Sequence, residues 1–154
     1  MIMSEDLCSE WNLHESKIAI KWRKAMKDKR RIHKICCSPD EDLRNAISST
    51  QYVRDNEGVL QIVTDDAHLI ELAFKSDKTI ISLDDEVRDH LKTISKAVVC
   101  LRIIVWVNPT IDEEKPIEWL RKGARPEEHR KLGYTVQKKD LYRNGHRLRK
   151  VTKC

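Results

Sequence analysis

Three acids in this sequence have the residue type and placement that metal-assisted chemistry requires. Glu10 lies beside the apolar stripe of the first predicted helix, Asp66 lies at the head of a central helix, and Asp84 follows the next predicted strand. Converging carboxylates repel one another, and divalent cations stabilise them best. Hard oxygen ligands suit Mg²⁺ or Mn²⁺, which activate water and neutralise charge on a phosphate. Phosphodiester hydrolysis is therefore the chemistry that these residues indicate.

The central stretch, residues 66–90, must position two of these acids. Apolar residues at helical spacing predict a helix that begins at Asp66, and the β-branched run over 79–83 predicts a buried strand. Asp84 and Asp85 follow that strand, and ligands bind outside the carboxyl ends of strands in open α/β sheets. A second strand over 98–107, closed by a Pro-containing turn, would complete a right-handed parallel βαβ crossover.

A single long helix over residues 4–29 is predicted to carry Glu10. Ser4 is its natural N-cap, and Trp11 and Trp22 share its apolar stripe, which makes them predicted core residues. Taken from this helix alone, Glu10 is better explained as a rim residue exposed to water. A second helix is predicted from a Ser38 N-cap to about residue 48, and the apolar segment over 59–63 fits no single type.

Basic residues are clustered in two segments, over 27–34 and over 134–154. The chain has 30 Lys and Arg against 25 Asp and Glu, a net charge of +5. Such a run is more often a solvated surface than a binding site, but the presence of two favours contact with RNA phosphates. The residues predicted to bind nucleic acid are Lys29, Arg30, Arg31, Lys34, Arg147 and Arg149.

The composition indicates one folded domain in a reducing compartment. A chain of 154 residues is long enough to bury a core, and we divide it into a domain over 1–133 and a basic ribbon or tail over 134–154. Its five cysteines show no disulfide framework, and no apolar segment resembles a signal peptide or a membrane span. We expect a cytoplasmic protein that does not associate with membranes.

Histidines near these segments have simpler explanations than metal binding. His68 is more often a helix residue whose ring bonds to a neighbouring carbonyl group, and His14 is expected to pair with Glu10. His33 lies near Cys36 and Cys37, but the sequence lacks a second half with the ligand spacing of a zinc site.

Four short stretches carry a resemblance to the PIN-like domain family, over roughly residues 2–132. They are Ser4-Glu5-Asp6-Leu7 through Glu10-Trp11, then Asp66-Ala67-His68-Leu69 with Ala73, then Ser82-Leu83-Asp84, and then Trp106-Val107-Asn108-Pro109. The spacing of Asp66 and Asp84 is the most specific part of this resemblance.

The resemblance implies an α/β fold, with three α/β/α layers around a parallel sheet. Many members of the family are metal-dependent ribonucleases, including toxins of toxin–antitoxin pairs. By resemblance, Glu10, Asp66 and Asp84 would be catalytic acids that bind Mg²⁺ or Mn²⁺, with Asp85 as a substitute or helper ligand. The implied partners are RNA and either an antitoxin or a second copy of the chain.

One part of the family pattern is not found. The family begins with a strand that ends in an Asp, several dozen residues before the Glu-bearing helix, whereas Met1 here directly precedes that predicted helix. The sequence therefore predicts an amino-terminally truncated PIN-like fold without the first metal-binding Asp. Three hypotheses stay open: an impaired ribonuclease, a non-catalytic module of the same fold that binds RNA or a partner, and a structural remnant.

Overall fold

The computed structural model describes residues 2–14 and 16–135, which form a mixed α/β protein. The helices of the described residues are α1 (Glu5–His14), α2 (Lys17–Asp28), α3 (Glu41–Ser48), α4 (Gln51–Asp55), α5 (Glu57–Asp65), α6 (Ala67–Phe74), α7 (Asp85–Ile94) and α8 (Pro116–Arg121). The strands are β1 (Ile2–Met3), β2 (His33–Lys34), β3 (Thr79–Ile81) and β4 (Val105–Val107). Nearly all of the predicted ribbon or tail over 134–154 lies outside the described residues.

The strands form two parallel pairs. β1 pairs with β2, and β3 pairs with β4 in a register that aligns Ile80 with Trp106. The predicted parallel βαβ unit is therefore confirmed, since α7 lies between β3 and β4 in the chain. Within the described residues the two pairs are separate two-stranded sheets.

The main core lies around the β3–β4 unit. Trp106 is fully buried, and the strand that carries it packs with apolar residues of α5, α6 and α7, among them Val63, Ile70 and Leu91. A smaller cluster on the other side of β4 joins Val105 and Val107 to Trp119 of α8. Because alternate strand residues point to opposite faces, one short strand serves both clusters.

The predicted strand over 98–107 is wrong for its first half, which forms a 3-10 helix at Val99–Ile103. Val98, Leu101 and Ile104 are buried, while Val99 and Ile103 are exposed. Burial at every third residue matches the three-residue turn of a 3-10 helix and not the two-residue alternation of a strand. Continuous apolar character hid this period in the sequence.

The single long helix predicted over 4–29 is also wrong, because two helices occupy this segment. Ser16 interrupts the helix and caps α2, its hydroxyl oxygen accepting a hydrogen bond from the amide of Ala19. The Ser4 N-cap is confirmed by the bond that its Oγ accepts from the amide of Leu7. Trp22 is 45% exposed and is not the core residue that the stripe predicted.

Two further boundaries differ from the predictions. A short strand, β1, precedes the first helix, where the sequence analysis placed none, and its residue Met3 is buried. The N-cap of α3 is Asp40 and not Ser38, because the Asp40 carboxylate accepts the amide hydrogen bond of Leu43. The end of α3 at Ser48 agrees with the prediction.

The untyped segment over 59–63 is helical and belongs to α5. Helix α8 ends before Gly123, which has a φ of 87°, a backbone conformation that glycine adopts readily after a helix. Among the described residues, no helix combines the length and apolar character needed to cross a membrane.

Candidate functional site

The three predicted site acids come from three different elements. Asp66 lies in the single-residue junction between α5 and α6, is partly buried and does not cap α6. Asp84 is exposed at the end of the β3 segment and caps α7, its Oδ1 accepting a hydrogen bond from the amide of Val87 at 2.9 Å. Glu10 lies on α1, and its carboxylate faces α6.

Negative charges crowd around Asp66. Burial is the largest cause that raises the pKa of Asp66, and the negative charge of Asp84 is the next. Glu10 and Asp65 raise this pKa further, while His68 opposes them. The structure thus brings the three predicted acids into one electrostatic neighbourhood, although they are distant in the sequence.

The acids of this neighbourhood do not by themselves form a metal-binding cluster. In the part of the chain that the structure describes, no three His, Cys, Asp or Glu side chains stand together in a geometry that holds a metal ion. The donor chemistry nevertheless fits a divalent cation, because such an ion would offset the repulsion that raises the pKa of Asp66. Asp66 and Asp84 would hold the ion, with Glu10 as a third carboxylate.

Asp85 occupies a different environment from Asp84. Its Oδ2 accepts a hydrogen bond of 2.8 Å from Nδ2 of the buried Asn108, which also donates to the carbonyl oxygen of Leu83 at 3.3 Å. Arg88 Nη1 lies 3.6 Å from the other carboxylate oxygen of Asp85. Asp85 therefore joins the ends of β3 and β4, and its predicted role as a helper ligand is not tested by these contacts.

Behind Asp85 lies an ion-pair network that we call the Glu114 network, comprising Glu114, Arg88, Arg130 and Asn108. Arg88 Nη1 donates to Glu114 Oε1, and the amide of Asn108 donates to Glu114 Oε2 at 3.1 Å. Arg130 donates through Nη2 to the Glu114 carbonyl oxygen. The two arginines are buried, so the network fixes the carboxyl ends of β3 and β4 from inside the protein.

His68 lies on α6, two residues after Asp66. Its Nδ1 lies 3.0 Å from the carbonyl oxygen of Asp65, which confirms the predicted bond to a neighbouring carbonyl group. Its Nε2 lies 3.5 Å from Oε2 of Glu10 and has no hydrogen-bond partner. The predicted pairing of Glu10 with His14 lies outside what is described, because the His14 side chain is not placed.

One turn further along α6, Glu71 is a buried carboxylate. Its Oε1 accepts hydrogen bonds from the amide of Asp40 at 2.9 Å and from Arg44 Nε at 2.7 Å, while Oε2 accepts from Arg44 Nη2 at 3.0 Å. Burial alone would raise the pKa of Glu71, but these hydrogen bonds and the Arg44 charge outweigh it and lower that pKa. Glu71 is therefore structural and ties α6 to the start of α3.

The predicted nucleic-acid contacts are split between described and undescribed residues. Lys29, Arg30, Arg31 and Lys34 are all exposed around the end of α2 and in β2. Arg147 and Arg149 lie outside the described residues. Trp22 of α2 contacts Trp11 with 6.0 Å between ring centroids, so an exposed aromatic surface adjoins the basic segment.

Sequence reasoning missed two features of this region. They are the buried carboxylate of Glu71 and the ring nitrogen Nε2 of His68, which has no hydrogen-bond partner. Glu71 carries a signal that could have found it, because the residues around it in α6 are apolar and an acid there needs a partner. Its partner Arg44 is 27 positions away and has no such signal. The contact of His68 with Glu10 depends on how α1 packs on α6, which no local pattern specifies.

Substituting Asp66 by Asn is expected to stabilise the fold at neutral pH. Because the pKa of Asp66 is raised in the folded state, the ionised carboxylate opposes folding once the pH exceeds that raised pKa. We expect a gain of roughly 0.5–2 kcal/mol in the free energy of unfolding at pH 7, measured by urea denaturation. The gain should disappear as the pH falls below 3.8, the ordinary pKa, where both states bind the proton.

The control for this substitution is Asp55→Asn in α4. Asp55 is exposed and accepts a hydrogen bond from Gln51, so its substitution should not raise the free energy of unfolding. If Asp66→Asn lowers the free energy of unfolding at pH 7 as much as Asp55→Asn does, the charge crowding at Asp66 is contradicted.

The chain was compared with protein-family models, with curated proteins and with solved structures, and none of them matches.

Proposed function

We propose that this protein is a PIN-like, metal-dependent ribonuclease domain that hydrolyses phosphodiester bonds of RNA in the cytoplasm. The observation that carries the proposal is the crowding of Asp84 and Glu10 around Asp66. Burial is the largest cause that raises the pKa of Asp66, and the negative charges of Asp84 and Glu10 raise it further. Sites that bind divalent cations through carboxylates have this charge arrangement before the ion enters. The three-layer α/β/α arrangement is part of the proposal.

In this proposal, different residues of the chain bind the cation and the RNA. Asp66 and Asp84 hold the cation, and Glu10 closes the site from α1. When bound, Mg²⁺ or Mn²⁺ would supply Lewis-acid activation of water and neutralise charge on the phosphate. The exposed cations Lys29, Arg30, Arg31 and Lys34 bind the RNA backbone. Arg147 and Arg149, which lie outside the described residues, have the same proposed role.

The test is cleavage of a labelled single-stranded RNA with Mn²⁺ present. Asp66→Ala, Asp84→Asn and Glu10→Gln are each expected to lower the cleavage rate about 100-fold, the scale of losing one preorganised charge in a site. Asp89→Asn is the matched control, because Asp89 is an exposed acid of α7 that pairs with Lys92. Cleavage that survives Asp66→Ala and Asp84→Asn unchanged, with unchanged Mn²⁺ binding, would contradict the enzyme proposal.

A second candidate function is a non-catalytic module of the same fold that binds RNA or a protein partner. One observation favours it: the acids of the described residues do not form a ready metal-binding group. Its support is the exposed basic segment beside Trp22, since aromatic and basic residues together suit single-stranded nucleic acid. An antitoxin or a second copy of the chain would be the protein partner.

RNA affinity measured with EDTA in place of the metal tests the second function. A binding module retains RNA affinity without metal, and neutralising Lys29, Arg30, Arg31, Arg147 and Arg149 weakens that affinity and flattens its dependence on salt. Substituting the exposed cations Lys96 and Arg121, which lie in other parts of the fold, is the control. RNA binding that is unaffected by the five substitutions would contradict the binding candidate.

A further inference from the structure

The unusual feature of His68 is that one ring nitrogen is anchored and the other has no hydrogen bond. The Asp65 carbonyl can only accept a hydrogen bond, so Nδ1 carries the proton and donates it over 3.0 Å. Nε2 is buried, has no hydrogen-bond partner and lies 3.5 Å from Oε2 of Glu10. The whole residue is only 8% exposed.

This arrangement is the one that histidine adopts when it binds a metal. A ligating imidazole almost always donates its other N–H to a carbonyl or carboxylate, which fixes the tautomer and the ring orientation. The carbonyl of Asp65 already does this for His68. A buried nitrogen without a partner has lost its hydrogen bond to water, and a cation at Nε2 would compensate that loss.

The spacing between Nε2 and the Glu10 carboxylate also suits a shared ion. Two donors each about 2.1 Å from one ion lie about 3.4 Å apart at a tetrahedral angle and about 3.0 Å apart at a right angle. The observed 3.5 Å is close to the tetrahedral value. Glu10 is about half exposed, so its carboxylate has room to adjust around an ion.

Among the remaining carboxylates, Asp66 is the nearest to His68 along the sequence. It lies two residues before His68, does not cap α6 and interacts electrostatically with both His68 and Glu10. An ion between Nε2 and Glu10 would therefore draw in the Asp66 carboxylate as a third ligand. Two of the donors already stand together, and Asp66 would join them when the ion binds.

We propose that His68 Nε2 is a metal ligand, which makes this a mixed nitrogen–oxygen site of His68, Glu10 and Asp66. The binding of the ion by His68 does not depend on the proposed ribonuclease function. Only the use of the ion in RNA cleavage rests on that function. Imidazole nitrogen suits transition metals, whereas Mg²⁺ prefers oxygen donors only. The site therefore selects Mn²⁺ or Zn²⁺ over Mg²⁺.

The experiment measures Mn²⁺ affinity of the metal-free full chain by electron paramagnetic resonance, and Mg²⁺ affinity by competition. His68→Ala is expected to weaken Mn²⁺ binding at least about 10-fold, the lower end of losses at metal sites, and to change Mg²⁺ binding less than 2-fold. His129→Ala is the matched control, because His129 Nε2 lies 3.6 Å from Glu127 Oε2 but its side chain is 58% exposed. Unchanged Mn²⁺ affinity in His68→Ala would overturn the proposal.

Because His68 is buried, a second measurement uses the intact protein. Nitrogen-15 spectra of the histidine rings, taken during a Zn²⁺ titration, should show a shift of His68 Nε2 while Nδ1 stays protonated. His68→Gln identifies the signal by its loss. A ring that is protonated on both nitrogens, with no response to Zn²⁺, would instead show a simple ion pair with Glu10 and would overturn the proposal.

The two proposals fail in different ways. If Mn²⁺ binds through His68 but RNA is not cleaved, the ribonuclease function fails and the metal site stands. If RNA is cleaved equally well with Mg²⁺ and after His68→Ala, the ribonuclease function stands and the nitrogen ligand fails. Equal loss of Mn²⁺ and Mg²⁺ binding in His68→Ala would show that His68 only positions α6, which also overturns this inference.

Discussion

Replacing Glu114 by alanine is expected to lower the free energy of unfolding by about 3–5 kcal/mol, the usual cost of breaking a buried ion pair from one side. The loss would leave Arg88 with only the 3.6 Å contact to Asp85, inside a part of the protein where its Nε already has no hydrogen-bond partner. The amide of Asn108 would lose its acceptor as well. Denaturation by guanidinium chloride, followed by circular dichroism, measures the change.

Arg130 should be less affected than Arg88 by this substitution. It keeps a 2.7 Å hydrogen bond to Glu127 and its position over the Trp119 ring, 5.3 Å from the ring centroid. Its bond to the Glu114 backbone carbonyl does not depend on the side chain. The destabilisation therefore comes mainly from Arg88 and Asn108.

The neighbouring residue Glu113 provides the control for Glu114. It is exposed in the same 3-10 turn, so Glu113→Ala should change the free energy of unfolding by less than about 0.5 kcal/mol. A loss below about 1 kcal/mol for Glu114→Ala would mean that water satisfies Arg88, and the Glu114 network would then not be a buried one.

Replacing Glu71 by glutamine is expected to cost about 2–4 kcal/mol at pH 7. The side chain is 4% exposed, and its bidentate pair with Arg44 and the Asp40 amide together use both carboxylate oxygens. The expected cost lies below that of a fully buried pair because Arg44 is about one-third exposed. Glutamine keeps the size but loses the charge and one acceptor.

The effect of Glu71→Gln should depend on pH. The folded-state pKa of Glu71 is lowered, so the stability that its charge contributes is complete above the ordinary pKa of 4.5 and is lost as the pH falls through the lowered value. The difference in free energy of unfolding between wild type and variant should therefore shrink below about pH 4.5. Glu41→Gln, an exposed acid at the start of α3, should show no such loss at neutral pH.

If the loss in free energy of unfolding caused by Glu71→Gln stays constant from pH 7 to pH 3, the explanation from the charge of Glu71 is contradicted. It would mean that the shape of the side chain, and not its charge, holds α6 against the start of α3. Urea denaturation at several pH values distinguishes the two outcomes.

The parallel βαβ unit could be predicted from the sequence because its signals are local. The β-branched run before Asp84 indicates a strand, and an Asp followed by an amphipathic stretch indicates the capped start of α7. Asp84 could therefore be placed at a strand end. Asp66 lies outside this unit, and its closeness to Asp84 depends on how α6 packs against β3.

The errors arose where two patterns share the same composition. An apolar run such as residues 98–104 is compatible with a strand or with a 3-10 helix until its period of burial is known. The stripe over 4–29 reads as one helix because Ser16 interrupts it without glycine or proline. In both segments, tertiary packing decided between conformations that the local sequence allows.

Much of the candidate site depends on long-range contacts and could not be predicted. The types of Glu10, Asp66 and Asp84 indicated a carboxylate site, but the face that His68 presents to Glu10 depends on α1 packing against α6. The same holds for Arg44 and Glu71, which come from helices separated by two others. Sequence patterns assign residues to faces, and packing chooses which faces meet.

The short β1–β2 pair has a consequence for how the site is assembled. Residues 4–32 form an excursion of the chain that these two-residue strands close at its base, and its helix α1 contacts α6. Glu10 belongs to this excursion, whereas Asp66 and His68 belong to the main body. Any ligand that bridges Glu10 and His68 would therefore join the excursion to the main body. By thermodynamic linkage, any change that stabilises the packing of the excursion on the main body would also raise the affinity for such a ligand. Binding of the ligand would stabilise this packing by the same free energy.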